Sequence, residues 1–321
     1  MTRILLFRHR YLPLNSLFIL LLIVGCTTKT TLQPREGFVQ VKGGRVWYRI
    51  VGTGNKTPII LLHGGPGSAS NYLEPLSALG KDRPVIFIDQ LGCGKSDRIS
   101  DTSLMTTASF VEELEQLRLS LGVTEYYLYG HSWGTMLGMD YYLKYPKGIK
   151  ALLFNSPLFS TALWIKDADT LITGLPDSVQ AIIQQTSQTK NYSSPAYQQA
   201  TLVYYAHFLT RKPEDSTELN NNDKAFGRNV YEYMWGPSEF TCEGNLKDYD
   251  RVKELPGISI PTLFIAGEYD EARPSTVRFY QGKVKGSRFV LVNNSGHVTM
   301  HDNPKENIEA IEEFLKEVDK Q

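Results

Sequence analysis

Apolar and polar positions follow two different rhythms along this chain. Over residues 38–51 they alternate, first as Phe-Val-Gln-Val-Lys and then as Arg-Val-Trp-Tyr-Arg-Ile-Val, with Gly43-Gly44 between. That pattern predicts an antiparallel hairpin. Beyond it, alternation gives way to uninterrupted apolar runs at 58–62, 85–88, 126–129, 149–154, 262–266 and 288–292. Runs this short and rich in β-branched residues predict strands buried on both faces.

Between two of these runs, residues 109–121 place Phe110, Val111, Leu114, Leu117 and Leu121 on one helical face, with Ser109 and Glu112 spaced as a capping box and Gly122 as the stop. Strand and helix in alternation imply right-handed crossovers, hence an α/β fold with a mainly parallel sheet and helices on both faces. The rhythm lapses over 157–255, where Gln, Asn, Ser and Tyr dominate and helices are predicted at 178–188 and 195–209. Strand-like sequence resumes at Pro261. The lapse is therefore read as a helical cap inserted after the sixth core strand, dividing a core made of 37–156 and 256–321.

Length and composition are consistent with one large core bearing an insertion: 321 residues, 41% of them hydrophobic. Lys plus Arg and Asp plus Glu both total 34, so the formal charge is zero and nothing favours nucleic acid as a partner. The first residues differ in character. Arg3, Arg8 and Arg10 occur in 1–15 without an acid, 16–25 is almost wholly apolar, and Leu22-Ile23-Val24-Gly25-Cys26 is similar to the lipobox of bacterial lipoproteins. The expectation is a signal sequence over 1–26, lipid on Cys26, a polar tether over 27–36 and a location in the bacterial cell envelope, anchored to membrane by lipid. An ordinary cleaved signal with an incidental cysteine is the alternative. Cys93 and Cys242 have no spacing signature and are expected as buried free thiols. No Cys/His grouping has metal-ligand spacing, and no cofactor is implied.

The chemistry lies where the apolar runs end. Gly130-His131-Ser132-Trp133-Gly134 follows one run and precedes a helical stretch, which is the strand-turn-helix context that gives G-x-S-x-G its meaning. The turn forces the serine into strained backbone geometry, and the glycines leave room for strand and helix to meet. Ser132 is thus the candidate nucleophile. A serine hydroxyl needs a base oriented by a third group, and His297 and Asp270 follow the last two predicted strands in the order Ser, Asp, His. Glu268, Glu271 and His301 are the local competitors. The segment His63-Gly64-Gly65-Pro66-Gly67 follows the strand at 58–62, so the backbone N–H groups of Gly65 and Trp133 are the candidate oxyanion donors, with His63 structural.

With these residues in view, the chain from about Glu36 onward resembles the prolyl iminopeptidase group of α/β-hydrolases, which includes the tricorn-interacting aminopeptidase of archaea. Six ordered blocks carry the resemblance: His63 to Gly67, Asp89-Gln90-Leu91-Gly92-Cys93-Gly94-Lys95-Ser96-Asp97, Gly130 to Gly134, Gly236-Pro237-Ser238-Glu239-Phe240, Gly267 to Glu271, and Ser295-Gly296-His297. The resemblance implies the α/β-hydrolase fold and release of an N-terminal residue, often proline, from short peptides with a free N-terminus, through an acyl-enzyme. It also implies that Glu239 and Glu271 hold the substrate amine. Leu91 stands where many relatives carry Arg, and Thr135 where many carry a second Gly. The rival readings are a capped esterase or C–C bond hydrolase, which needs no paired amine-binding acids, and a non-catalytic surface lipoprotein, expected to lack triad members.

Overall fold

The computed structural model describes residues 32–213 and 216–320. The segment expected as a signal, Cys26 and residues 27–31 lie outside the described residues. Eight strands form one sheet: β1 (Arg35–Val41), β2 (Gly44–Val51), β3 (Ile59–Leu62), β4 (Val85–Asp89), β5 (Tyr126–His131), β6 (Ile149–Asn155), β7 (Thr262–Gly267) and β8 (Arg288–Val292). Their spatial order is β1-β2-β4-β3-β5-β6-β7-β8. The hairpin β1–β2 is antiparallel and joins β4 antiparallel, while β3 to β8 run parallel. β1 begins inside the segment expected as a tether, because Arg35 pairs with Ile50 and Glu36 with Arg49.

Alternate residues of each central strand feed two separate cores. Ile60, Leu62, Leu128, Leu152, Phe154 and Phe264 pack on one face with Leu114 and Leu117 of α1 (Thr107–Ser120) and Leu137 of α2 (Trp133–Lys144). Ile59, Leu61, Tyr129, Leu153 and Ile265 pack on the other with Leu73 and Leu76, from the 3₁₀ segment Ser70–Lys81, and Phe314 of the C-terminal helix Pro304–Val318. This two-sided burial is why the strands read as continuous apolar runs.

The start of α1 differs from expectation. Thr106, with extended backbone, is the N-cap and its hydroxyl accepts the Ser109 N–H at 3.2 Å. Ser109 therefore lies within the first turn, and Glu112 bonds Lys144 and Tyr145 instead of closing a capping box. Between β6 and β7 come α3 (Thr161–Ile172), α4 (Asp177–Thr189), α5 (Pro195–Phe208), α6 (Ser216–Ala225) and α7 (Arg228–Met234). Leu175, Val179, Ile183, Tyr197, Tyr204 and Phe240 give this region a small core of its own. Cys93 is buried and Cys242 only half-buried, and both are free thiols.

Candidate active site

Ser132 links β5 to α2 with φ 53° and ψ −123°, a conformation that L-residues adopt only when their surroundings enforce it. The enforcement is visible. A Cβ at Gly130 would lie 2.3 Å from the Gly134 carbonyl oxygen, and one at Gly134 would lie 2.3 Å from that of Leu62. The Ser132 N–H donates to the Asn155 carbonyl at the end of β6, and the Thr135 hydroxyl donates to the Ser132 carbonyl at 2.6 Å. Thr135 also accepts the Leu158 N–H, fastening the turn to the start of the cap.

His297 donates from Nδ1 to Asp270 Oδ1 at 2.8 Å. Asp270 is buried and also accepts the N–H groups of Ala272 and Gly267, which fix its orientation. Nε2 of His297 is buried without a hydrogen-bond partner among the described residues, so it is available as a base. Three further contacts hold the histidine: its N–H donates to Phe208 at the end of α5, and its carbonyl accepts both Ser156 Oγ and His131 Nε2. Of the competitors, Glu268 is exposed and accepts the Asn294 N–H and His301 lies beside Asp302, whereas Glu271 stands next to His297 without replacing Asp270 on its Nδ1.

Ser132 and His297 line one cavity of about 1500 Å³ together with Gly64, Gly65, Tyr72, His131 and Glu239. The Gly64 N–H is committed to the Tyr72 hydroxyl at 2.6 Å, which leaves the next amide, Gly65, for an incoming oxygen. Trp133 is the first residue of α2, so its N–H has no intrahelical acceptor. His63 Nε2 accepts the Gln90 N–H, and burial holds this ring below its ordinary pKa, in keeping with a structural part.

The two glutamates implied by the resemblance come together here, one from the cap and one from the loop after β7. Glu239 lines the cavity, and Tyr231 donates to its Oε1 at 2.8 Å. Its backbone is pinned by Tyr205 Oη on the N–H and Trp164 Nε1 on the carbonyl. Glu271 is 1% exposed, its Oε1 lies 4.0 Å from His297 Nε2, Tyr204 lies beside it, and neither of its oxygens closes a hydrogen bond among the described residues. Burial, the Glu239 charge and the Asp270 charge drive the Glu271 pKa well up; burial raises Glu239 too, opposed by His297 and Tyr231. Neither glutamate is paired with a Lys or Arg among the described residues. The half-buried Glu239 and the buried Glu271 thus form a carboxyl pair without a cationic partner among the described residues, in which Glu271 keeps its proton well above the ordinary carboxylate range, beside the candidate base.

Residues 57–304 match the family model of the alpha/beta hydrolase fold. A proline iminopeptidase of Heyndrickxia coagulans is 41% identical over 88% of this chain and 99% of its own length, and one of Saccharolobus solfataricus is 35% identical over 90% and 94%. The chain belongs to the proline iminopeptidase family. Among solved structures, proline iminopeptidase of Mycobacterium smegmatis superposes with a TM-score of 0.81 at 29% identity, covering 89% of this chain and 99% of that one.

Several residues that shape this family member's site carry no sequence signal. Tyr72 sits in a 3₁₀ segment without a motif. Asp302 accepts the N–H groups of Arg211, Lys212 and Gly296, tying the cap to the histidine loop across about ninety positions. Of the cap aromatics, Tyr231 and Tyr233 line the large cavity, whereas Trp235 belongs to the main core and Phe240 to the core of the cap.

Proposed function

We propose that this protein is a serine aminopeptidase that releases an N-terminal residue, preferentially proline, from short peptides through an acyl-enzyme. The observation that carries the reading is the carboxyl pair of half-buried Glu239 and buried Glu271, which lacks a Lys or Arg partner among the described residues and lies beside His297. Ionising both carboxyl groups here is costly, which is why Glu271 holds its proton, and a cation arriving with the substrate offsets that cost. A protonated prolyl nitrogen carries two N–H donors, one for each carboxylate. An esterase acting on neutral substrates would bear the cost of the pair without using it.

In this reading, the substrate ammonium docks on Glu239 and Glu271 and sets the first carbonyl over Ser132. His297 Nε2 takes the Ser132 proton as Oγ attacks, Asp270 steadies the charged imidazole, and the Gly65 and Trp133 amides receive the oxyanion. His297 then protonates the departing amine, and water repeats the sequence to free the residue. A panel of aminoacyl nitroanilides, prolyl and alanyl, each beside its N-acetylated form, tests this. Cleavage confined to free-amine substrates with prolyl fastest is the expected result. Indifference to acetylation contradicts it.

We also propose that Cys26 carries the lipid that anchors the protein in the cell envelope, on the strength of Arg3, Arg8, Arg10 and the lipobox-like 22–26. Expression with labelled palmitate should mark the wild type and not Cys26→Ala. Equal labelling, or none in either, would take the lipid off Cys26.

A further inference from the structure

Three loops meet at the reacting atoms: the glycine loop after β3, the turn at Ser132 and the loop bearing His297. A hydrogen-bonded chain joins them. The Gly64 N–H donates to Tyr72 Oη at 2.6 Å, Tyr72 Oη lies 2.8 Å from His131 Nδ1, and His131 Nε2 lies 3.0 Å from the His297 carbonyl oxygen. Its polarity is forced from both ends, because a backbone N–H can only donate and a carbonyl can only accept. Burial keeps the His131 ring neutral, so its tautomer is Nε2–H and the Tyr72 hydroxyl donates to Nδ1. Tyr72 Oη accepts at one end and donates at the other, and the His297 carbonyl accepts Ser156 Oγ besides His131.

We propose that Tyr72 and His131 are positioning residues that hold the oxyanion amide of Gly65 and the base His297 in register with Ser132. This rests on the functional reading above. Packing agrees with it: a Cβ at Gly64 would lie 3.1 Å from both Ser132 Cβ and Tyr72 Oη, so the glycine loop has little space on that side. The His131 and His297 rings are 4.7 Å apart between centroids and tilted at 53°. A neutral His131 spares the site a second cation when His297 takes the serine proton. Removing the Tyr72 hydroxyl frees the Gly64 N–H and lets the loop drift, which weakens contacts made only to the tetrahedral state.

The test is Tyr72→Phe in the full chain, assayed on prolyl nitroanilide and on an N-blocked ester. The expected result is a loss of about tenfold in kcat on both substrates with KM within about twofold, the signature of an interaction made only in the transition state. Affinity for a prolyl boronic acid, whose serine adduct is tetrahedral, should fall by the same factor, while inhibition by free proline stays put. His131→Asn breaks the same chain, so the double variant should cost no more than the worse single. Unchanged kcat and boronate affinity in Tyr72→Phe, or additive losses in the double variant, overturn the proposal. Wild-type protein that cleaves neither substrate overturns the functional reading instead.

Discussion

Replacing Glu239 by Gln removes one charge from the proposed amine site and little else. The amide oxygen can still accept from Tyr231, and the backbone stays pinned by Tyr205 and Trp164. Breaking a buried ion pair costs about 3–5 kcal/mol. The lower bound applies, because Glu239 lines an open cavity and Glu271 remains to hold the amine. About 3 kcal/mol corresponds to a loss of roughly 150-fold in kcat/KM, at 1.36 kcal/mol per decade. An N-blocked ester has no ammonium to lose and should change by less than about threefold. The assay is kcat/KM on prolyl nitroanilide and on the N-acetylated ester, in wild type and variant side by side. Comparable losses on both substrates would refute amine recognition by Glu239.

Glu271 is held protonated to a pH well above its ordinary value of 4.5 by burial, Glu239 and Asp270. The unfolded chain releases that proton earlier, so wild-type stability falls as pH rises from about 4.5 toward the folded-state value. Glu271→Gln should therefore gain stability relative to wild type progressively as pH rises above about 4.5 in urea unfolding, and a pH-independent difference would contradict this. Burial raises the Asp302 carboxylate, but hydrogen bonds from His301 and from the N–H groups of Lys212, Arg211 and Gly296 outweigh it and hold it below its ordinary 3.8. Its contribution is present above 3.8 and lost as pH falls through the folded-state value, so Asp302→Asn should cost about 2 kcal/mol at pH 7 and nothing once the wild-type group is protonated. Gly134→Ala drives a methyl into the Leu62 carbonyl, and a loss of at least about 2 kcal/mol in urea unfolding is expected; near-wild-type stability would mean the turn can relax.

The strands and the turn at Ser132 were legible because their causes are local. Two-sided burial writes a continuous apolar run, and the close approach of Gly130 and Gly134 to backbone demands glycine. The placement of His297 was readable for the same reason, since it follows β8 in a glycine-bearing loop. The first turn of α1 was misread because Thr106 and Ser109 are both competent caps, and spacing alone does not say which hydroxyl reaches the free N–H. Tyr72 was invisible because its partner His131 is 59 positions away and no periodicity relates them. Asp302 escaped for a like reason, its carboxylate holding backbone amides of the cap. Glu239 was singled out only through the family blocks, because the polar cap sequence around it gives no pattern that marks one carboxylate.

The central claim joins two statements: Ser132 is the nucleophile, and the site beside it selects a free amine. Competitive labelling tests both in one measurement. A fluorophosphonate probe should modify Ser132, mapped by peptide mass spectrometry, and a prolyl boronic acid with a free nitrogen should protect it at concentrations where the N-acetylated boronic acid does not. Absence of label on Ser132, or equal protection by the two boronic acids, would contradict the account.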